Sequence, residues 1–489
     1  MKTVTRLHCA FRALLLTATC ALMFFTTHTL MALPTVSTLA NFNVDTGGLP
    51  LAGFTFGRDG NLYGTTSFNF GGITFNQGSV FKMTTNGTVT VLTNFYFNGE
   101  NGFTANGPLV QYTNGDLYGS TGSGGSLGGG TVFKITTNGS LTTLFNFDPN
   151  NGGSYPGGGL VLADDGNFYG TTSNDPTNGV GTVFRMTPAG DLTNLVYFDN
   201  DTTGGNPVGQ LVKGVNGNFY CTASVGGTSF NGSILMVTTN GTVTTLANFD
   251  GSNGSNPTTT LVQDTNGNFY GTTFAGGSFN KGTAFKMTPS GTLTTLVNFT
   301  EGAHLGLVRG TNGNFYGTSG HSLDDLQFGS RDSIFQMTSS GTLTTLATFE
   351  TNSYFPVGSL VLGLDGSLYG IMSHGGSNEL GTIFKLDLSA PNIGVQYPEG
   401  VNLTSGTATI DFNHVEIFYT SYTATIIVTN DGFSTLSNLA ASVTGNNPGD
   451  YFIQAASSTV APPCGHRIFG QLPPDLNRFE HCCSPYHQQ

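Results

Sequence analysis

Three histidines in the repetitive part of the chain are the side chains best suited to proton transfer or metal binding: His304, His321 and His374. Three acidic residues lie in the same stretch of the sequence: Asp324, Asp325 and Glu379. A histidine beside a carboxylate can act as a general acid or base, and the two together can hold a metal ion. No ligand spacing such as HxH or HExxH is present, so the simpler interpretation is that all six are solvated loop residues.

Three aspartates head similar Asn- and Gly-rich segments that begin FDPNNGG, FDNDTTGG and FDGSNGS: Asp148, Asp199 and Asp250. Their carboxylates could hold calcium through oxygen ligands, although the EF-hand pattern is not met. The alternative is an Asx turn, in which the side chain accepts hydrogen bonds from the backbone of its own loop. Calcium is therefore the one cofactor that we keep open, and otherwise we expect none.

The elements that must position these residues come from a repeat centred on NGNFYGTT at residues 266–273. Each unit contains four short segments rich in aromatic and β-branched residues, which predict strands. Asn-Gly and Asp-Gly dipeptides between the segments predict tight hairpins with positive φ angles. A four-stranded unit of about 50 residues is typical of a β-propeller blade. The tyrosine of the motif recurs seven times: Tyr63, Tyr118, Tyr169, Tyr220, Tyr270, Tyr316 and Tyr369.

The two ends of the array predict a closed ring. A TLTTLxNF-like strand occurs at residues 35–42, before any complete unit, whereas the last unit ends at IFKLDLSAP without a fourth strand. The leading strand therefore completes the last blade, which also hides two sheet edges that would favour aggregation. The sequence thus predicts an all-β chain in which residues 33–390 form a seven-bladed β-propeller closed by strand 35–42.

The repeated pattern LVxxxNGNFYGTTxxGG…GTVFKMTxxGTLTTLxNF spans residues 35–390 and resembles the GloVer tandem repeat of bacterial envelope proteins. The resemblance implies an exported surface protein whose C-terminal anchor is exchangeable, and it implies no catalytic residue. Residues 391–463 contain IDFNHVEI, IIVTNDG and VTGNNPGDYF, and they resemble a choice-of-anchor D module. Their short alternating runs predict an immunoglobulin-like β-sandwich.

The last segment, residues 464–489, is rich in Arg, His and Cys and lacks strand alternation. We interpret it as an aberrant tail produced by a frameshift, with a natural divergent tail as the alternative. With the frameshift, the immunoglobulin-like β-sandwich is truncated and lacks its last strands and any anchor beyond them.

The N-terminus and the charge limit the location and partners of the protein. Residues 1–32 carry basic residues and then an apolar run, which predicts a secretory signal peptide and a secreted or cell-envelope protein. We expect no transmembrane segment after the signal, and a monomer. The net charge of −13 with only 15 basic residues argues against binding of nucleic acid. Cys221 stands where most other repeats have Gly, either as a small-residue replacement or as a reactive thiol.

Propeller topology divides the loops between two faces. The short-turn face carries the turns between strands one and two and between strands three and four of each blade. The loop-rich face carries the longer, variable connections, and binding usually resides in such loops. We therefore predict binding of an extracellular glycan or protein at the loop-rich face. The alternatives are a propeller-type lyase or hydrolase, which would use the histidines on a polysaccharide or small lactone, and a structural envelope protein without a ligand.

Overall fold

The computed structural model describes residues 34–388 together with three strands that follow them in the sequence. Gaps in the first range fall at residues 49, 51, 68–75, 97–99, 106, 178, 208, 301–305, 320–331 and 350–355. All regular elements of the described part are β-strands, arranged in eight antiparallel sheets. No described residue belongs to a helix long and apolar enough to cross a membrane. The predicted signal at residues 1–32 lies outside the described residues.

The first six blades are four-stranded meanders in which neighbouring strands are consecutive in the chain. Their strands, blade by blade, are β2 (Thr55–Phe56), β3 (Leu62–Thr66), β4 (Asn76–Met83) and β5 (Val89–Tyr96); β6 (Val110–Gln111), β7 (Leu117–Thr121), β8 (Thr131–Ile135) and β9 (Leu141–Asn146); β10 (Val161–Leu162), β11 (Phe168–Thr172), β12 (Thr182–Met186) and β13 (Leu192–Tyr197); β14 (Val212–Lys213), β15 (Phe219–Ala223), β16 (Ser233–Val237) and β17 (Val243–Asn248); β18 (Val262–Gln263), β19 (Phe269–Thr272), β20 (Thr283–Met287) and β21 (Leu293–Asn298); β22 (Val308–Arg309), β23 (Phe315–Ser319), β24 (Ser333–Met337) and β25 (Leu343–Thr348).

Blade seven is completed by a strand from the other end of the array. It contains β26 (Pro356–Leu362), β27 (Leu368–Met372) and β28 (Thr382–Asp387), and its outer strand is β1 (Thr35–Asn41). β1 pairs antiparallel with β28, from Thr35 opposite Asp387 to Asn41 opposite Thr382. This pairing closes the seven-bladed propeller in the way that the orphan leading strand predicts.

The short hairpins depend on glycine alone for their left-handed residue. In the first hairpin of blade one, the N–H of Gly60 donates to the carbonyl of Gly57 (2.9 Å) and the N–H of Gly57 donates to Asn61 (2.8 Å). Gly60 has φ 77°, whereas Asp59 before it does not take a positive φ. The loop is therefore a three-residue turn that ends in a left-handed glycine, not the two-residue turn that positive φ at both residues would give.

The aromatic pair of the FYG motif fills the spaces between blades. Because neighbouring strand residues point to opposite faces of a sheet, Phe faces one adjacent blade and Tyr the other. Tyr270 of blade five stacks on Phe315 of blade six with ring centroids 4.0 Å apart. Equivalent contacts join Tyr118 to Phe168, Tyr169 to Phe219 and Tyr220 to Phe269. The repetition of the motif therefore records a packing requirement at each blade interface.

The glycine after the tyrosine makes room for a phenylalanine on the third strand. A Cβ placed at Gly271 would lie 2.6 Å from Cζ of Phe285, its cross-strand partner. Blade four has a different pair at the positions of Gly271 and Phe285, because Cys221 there faces Leu235. The shorter leucine accommodates the thiol, and burial raises the pKa of Cys221 to about 12. This packing supports the interpretation of Cys221 as a small-residue replacement, because a fully buried neutral thiol is a poor nucleophile.

The three strands of the C-terminal part form an antiparallel sheet by themselves. They are β29 (Ile393–Gln396), β30 (Thr425–Asn430) and β31 (Cys464–Phe469), with β30 in the centre. β31 lies in the segment whose sequence lacks strand alternation, and it pairs with β30 in continuous register. The interpretation of residues 464–489 as an aberrant tail stays a prediction. The rest of the proposed sandwich lies outside the described residues.

Candidate functional site

The loop-rich face is built from pairs of loops that belong to the same blade. In blade five, the loop that enters the blade and the loop between its second and third strands are bridged at Ser255 and Ala275. Ser255 N donates to the Ala275 carbonyl (2.7 Å), and Ala275 N donates back (3.1 Å). Equivalent bridges join Ser154 to Asn174 and Gly205 to Val225. The variable loops are therefore held together by backbone hydrogen bonds that do not depend on side-chain identity.

A left-handed residue links each of these loop pairs to its neighbours. The entering loops contain a non-glycine residue of positive φ at the same position: Thr104, Tyr155, Asn206 and Asn256. Asn256 donates its N–H to the Asn231 carbonyl of blade four (2.9 Å) and accepts from the N–H of Phe274 of blade five (3.0 Å). The left-handed conformation is unfavourable for most side chains, so these two hydrogen bonds, one between blades and one within blade five, must offset its cost.

The asparagine at the end of the outer strand fixes the loop between strands two and three. Asn298 Oδ1 accepts the N–H of Ser278 in blade five (2.8 Å). In blade seven the equivalent acceptor is Asn41 of β1, which binds the N–H of Ser377 (3.2 Å). The closing strand thus supports the loop that carries His374 and Glu379.

The predicted histidine site is described only in part. His374 is half-buried, and its Nδ1 lies 2.9 Å from Oγ of the buried Ser373. Glu379 lies in the same loop, exposed and with φ 57°. The other four candidates lie outside the described residues: His304, His321, Asp324 and Asp325. The structure therefore brings His374 and Glu379 into one loop, and the gathering of the histidines on a common rim stays a prediction.

The serine beside His374 has counterparts whose role is structural. Ser224 in blade four donates its hydroxyl to the Asn206 carbonyl (2.9 Å), and Ser173 in blade three donates to the Tyr155 carbonyl (3.2 Å). The serine is thus part of the repeat, whereas the histidine is particular to blade seven among these three.

The three aspartates proposed for calcium all form Asx turns. Asp250 Oδ1 accepts the N–H groups of Asn253 (3.0 Å) and Ser252 (2.9 Å). Hydrogen bonds from the Asn253 backbone and the Ser252 side chain lower the pKa of Asp250. Asp148 and Asp199 each accept the N–H two residues ahead. Within the described part of the chain, no three His, Cys, Asp or Glu side chains group as they would around a metal, and calcium binding stays a prediction.

Within the described part of the chain, exposed apolar side chains on the loop-rich face lie mainly in the loops of blades two to five. The most exposed are Phe230 (72%), Phe279 (58%) and Leu127 (53%), and others in these loops are Tyr155, Val225 and Phe274. On the short-turn face, the comparable side chains are Val215 (84%) and Leu364 (87%). The sequence analysis did not identify these loop aromatics because it considered titratable groups. They could have been found as large residues at loop positions where other repeats have small ones.

Polar side chains of the short-turn face form a hydrogen-bonded cluster in some blades. In blade seven, the Tyr369 hydroxyl donates to Asp365 (2.9 Å), and Lys385 Nζ lies 2.8 Å from the same carboxylate. Burial raises the pKa of this carboxyl, but hydrogen bonds from Lys385, Ser367 and Tyr369 outweigh that effect and lower it. Blade one has the same cluster: Asp59, Tyr63 and Lys82.

Blades four and six replace this ion pair with neutral groups on both sides. Asn216 and Asn312 donate to the hydroxyls of Tyr220 and Tyr316, each at 2.9 Å. The third-strand residues opposite those tyrosines are neutral as well: Met236 and Gln336. In these four blades the acid and the cation are present or absent together, whereas blades two and five combine an asparagine at the turn position with a third-strand lysine, Lys134 or Lys286.

These features define a β-propeller repeat protein. The model of the Gloeobacter/Verrucomicrobia repeat family matches residues 24–234 and 210–399. Because the two matches together cover more than half of the chain, the protein belongs to this repeat family. The resemblance of residues 391–463 to a choice-of-anchor D module stays a prediction.

Solved structures similar to the chain include a gluconolactonase from Xanthomonas campestris, at 14% identity and a TM-score of 0.38, covering 58% of this chain and 86% of that chain. Another is a candidate gluconolactonase at 11% identity and a TM-score of 0.38, covering 72% of this chain and 91% of that one. An auxiliary nutrient-binding protein from Bacteroides ovatus has 15% identity and a TM-score of 0.40, with coverage of 72% and 76%. At such scores they carry no argument about the ligand. A comparison with curated proteins finds no match.

Proposed function

We propose that the protein is exported to the cell envelope or the medium and binds a glycan or a protein through its loop-rich face. The signal sequence predicted for residues 1–32 supports export. The observation that supports binding is the group of exposed apolar side chains in the loops of blades two to five. Large apolar groups gathered on one face of a folded protein are typical of interaction sites.

The chemistry of this face favours a neutral or weakly charged ligand. The whole chain has only 9% charged residues, and the loops consist mainly of Gly, Asn, Ser and Thr. Their backbone hydrogen bonds hold the loops in place before any ligand arrives, so binding requires little ordering of the protein.

The test compares exposed apolar side chains on the two faces of the full chain. The loop-face variant carries Leu127→Ser, Tyr155→Asn, Phe230→Gly, Phe274→Ser and Phe279→Ser. The matched control carries Val215→Ser and Leu364→Ser on the short-turn face. Both variants and the unchanged protein are screened against an array of bacterial and plant glycans and against extracellular proteins.

We expect the unchanged protein and the control to bind the same ligand, and the loop-face variant to lose it while its melting temperature is retained. Loss of binding in the control alone would place the ligand on the short-turn face and contradict the proposal. Absence of any ligand for the unchanged protein would favour the structural alternative.

A hydrolase or lyase is the second candidate, and the contact between Ser373 Oγ and His374 Nδ1 is the observation in its favour. Its test is the release of reducing ends from polysaccharides, and the hydrolysis of small lactones, by the unchanged protein and by His374→Ala. Activity that disappears in this variant would support an enzyme. Activity that His374→Ala retains would exclude His374 as its catalytic residue.

A further inference from the structure

The junctions between neighbouring blades on the loop-rich face provide an internal comparison. The linker is the residue of positive φ in the loop that enters a blade. The structure describes both of its backbone hydrogen bonds at three junctions: blades two to three, three to four, and four to five. Their linkers are Tyr155, Asn206 and Asn256, which donate to the carbonyls of Gly129, Val180 and Asn231 and accept from the N–H groups of Ser173, Ser224 and Phe274. The backbone at these three junctions is therefore the same, and differences between them arise from side chains.

The junction between blades four and five carries phenylalanine at two positions where the other two junctions have glycine and serine. The residue before the accepting carbonyl is Gly128 or Gly179 at the other two junctions and Phe230 here. The residue that donates to the linker is serine at the other two and Phe274 here. Two phenylalanines thus flank Asn256, and both are exposed, by 72% and 38%.

Folding does not explain Phe230. Its φ is 57°, the left-handed region that Gly128 and Gly179 occupy at φ 84° and 71°, and that Asn280 and Glu379 occupy in blades five and seven. A bulky side chain is strained there, and an exposed aromatic ring gains little from burial in return. The glycine of the two sister loops would form the same turn without strain. A strained residue that packing does not reward suggests a role outside folding.

Charged residues are few in this part of the sequence. Asp250 and Asp264 are the only ones between positions 214 and 280, and Lys281 follows in the loop that carries Phe274. Asp250 accepts hydrogen bonds in its own Asx turn, and Asp264 accepts hydrogen bonds from Asn266 and Asn268 in a turn of the short-turn face. An exposed aromatic pair beside an amide suits the apolar C–H face and the hydroxyl groups of a neutral sugar ring.

We propose that Phe230 and Phe274 form an aromatic platform that stacks on the pyranose rings of a neutral polysaccharide, with Asn256 between them to hydrogen-bond the sugar hydroxyls. This proposal rests on the binding function assigned above to the loop-rich face and names the ligand class and the subsite. In this proposal, the left-handed conformation of Phe230 serves to present its ring to the sugar.

The chain contains no tryptophan, so a single substitution provides a specific reporter. The full chain with Phe230→Trp is titrated with soluble neutral polysaccharides, namely xyloglucan, laminarin, galactomannan and dextran, and with the acidic alginate and polygalacturonate. Val215→Trp, on the short-turn face of blade four, is the matched control. Binding of the double variant Phe230→Gly/Phe274→Ser, which copies the sister junctions, is measured against Val215→Ser/Leu364→Ser on the short-turn face.

We expect at least one neutral polysaccharide to shift the emission of Trp in Phe230→Trp and not in Val215→Trp. The double variant at the junction should bind it about tenfold more weakly or worse, with an unchanged melting temperature, because two stacking contacts are lost. The other double variant should bind normally.

Three results would overturn the platform. Neutral-polysaccharide binding that survives in the junction variant would place the site elsewhere on the face and leave the broader function intact. Binding of acidic polymers or of proteins alone would retain the loop-rich face as a binding face and reject the neutral sugar. Absence of binding to every probe and every extracellular protein would reject both the platform and the broader function.

Discussion

The repeated framework and the loop-rich face differ in whether their large side chains contact other side chains or solvent. In the framework, meaning the strands and the short turns, Asp365 contacts both Tyr369 and Lys385, and Tyr270 stacks on Phe315. On the loop-rich face the backbone is equally regular, but a large side chain such as Phe230 is left in solvent.

The difference teaches how to interpret repetition in this chain. A residue type that recurs at the same position in most blades serves the packing between blades, as the tyrosines of the FYG motif do. A large side chain that replaces Gly or Ser at an exposed loop position serves no packing that the sister loops need. Function is therefore to be sought where the repeat is broken at the surface.

The largest expected effect comes from placing a side chain at a framework glycine. Gly271→Cys should lower the free energy of unfolding by about 2 kcal/mol, because its Cβ would lie 2.6 Å from the Phe285 ring. Adding Phe285→Leu copies the Cys221–Leu235 pair of blade four and should recover part of that loss. Urea unfolding under reducing conditions measures both. If Gly271→Cys alone were as stable as the unchanged protein, glycine would not be required at this position.

A smaller effect is expected from the ion pair of the short-turn face. Asp365→Asn should lower the free energy of unfolding at neutral pH by less than about 1 kcal/mol, since the pair is partly exposed. The folded state lowers the pKa of Asp365, so its contribution is complete above the unfolded value of about 4 and is lost as the pH falls through the folded pKa.

The measurement for Asp365→Asn is urea unfolding across the range from pH 7 to pH 2. The stability difference from the unchanged protein should shrink below about pH 4. Asn312→Asp is the matched control, because that position faces Gln336 instead of a lysine and should gain no comparable stability. A difference that grows on acidification would contradict the assignment.

The smallest expected effect is on the loop-rich face. Phe230→Gly should leave the free energy of unfolding unchanged or raise it by up to about 1 kcal/mol, because relief of left-handed strain is offset in part by the entropy of glycine. Gly179→Ala, at the equivalent position of blade three, should be destabilising. Thermal unfolding of both variants checks this contrast. A clear loss of stability in Phe230→Gly would instead give the aromatic ring a structural role.

The repeat allowed the sequence to predict the blades and their closure. Recurrence of the strand at residues 35–42 predicted the partner of β28, and the FYG motif predicted filling between the sheets. These inferences succeed because hydrophobic patterning and turn glycines act locally and repeat seven times.

The sequence was less informative about surfaces. It could not predict that Phe230 is left-handed and exposed, because exposure depends on how two loops of a blade bridge. It proposed three histidines as candidate functional residues, and His374 is the one of these three that the structure describes.

The two faces exist only if the ring is closed, so closure is the central claim to test. Ser37 of β1 and Lys385 of β28 are cross-strand partners, within reach of a disulfide bond. The test protein carries Ser37→Cys and Lys385→Cys, with the tail cysteines replaced by serine: Cys464, Cys482 and Cys483. The control pairs Ser37→Cys with Lys286→Cys, the equivalent position in blade five.

Peptide mass spectrometry after mild oxidation measures the link between the two introduced cysteines. The account predicts an intramolecular 37–385 disulfide in nearly all of the folded protein, and none in the 37–286 control. A folded protein in which positions 37 and 385 stay reduced, or in which position 37 links equally well to position 286, would contradict the closed seven-bladed ring.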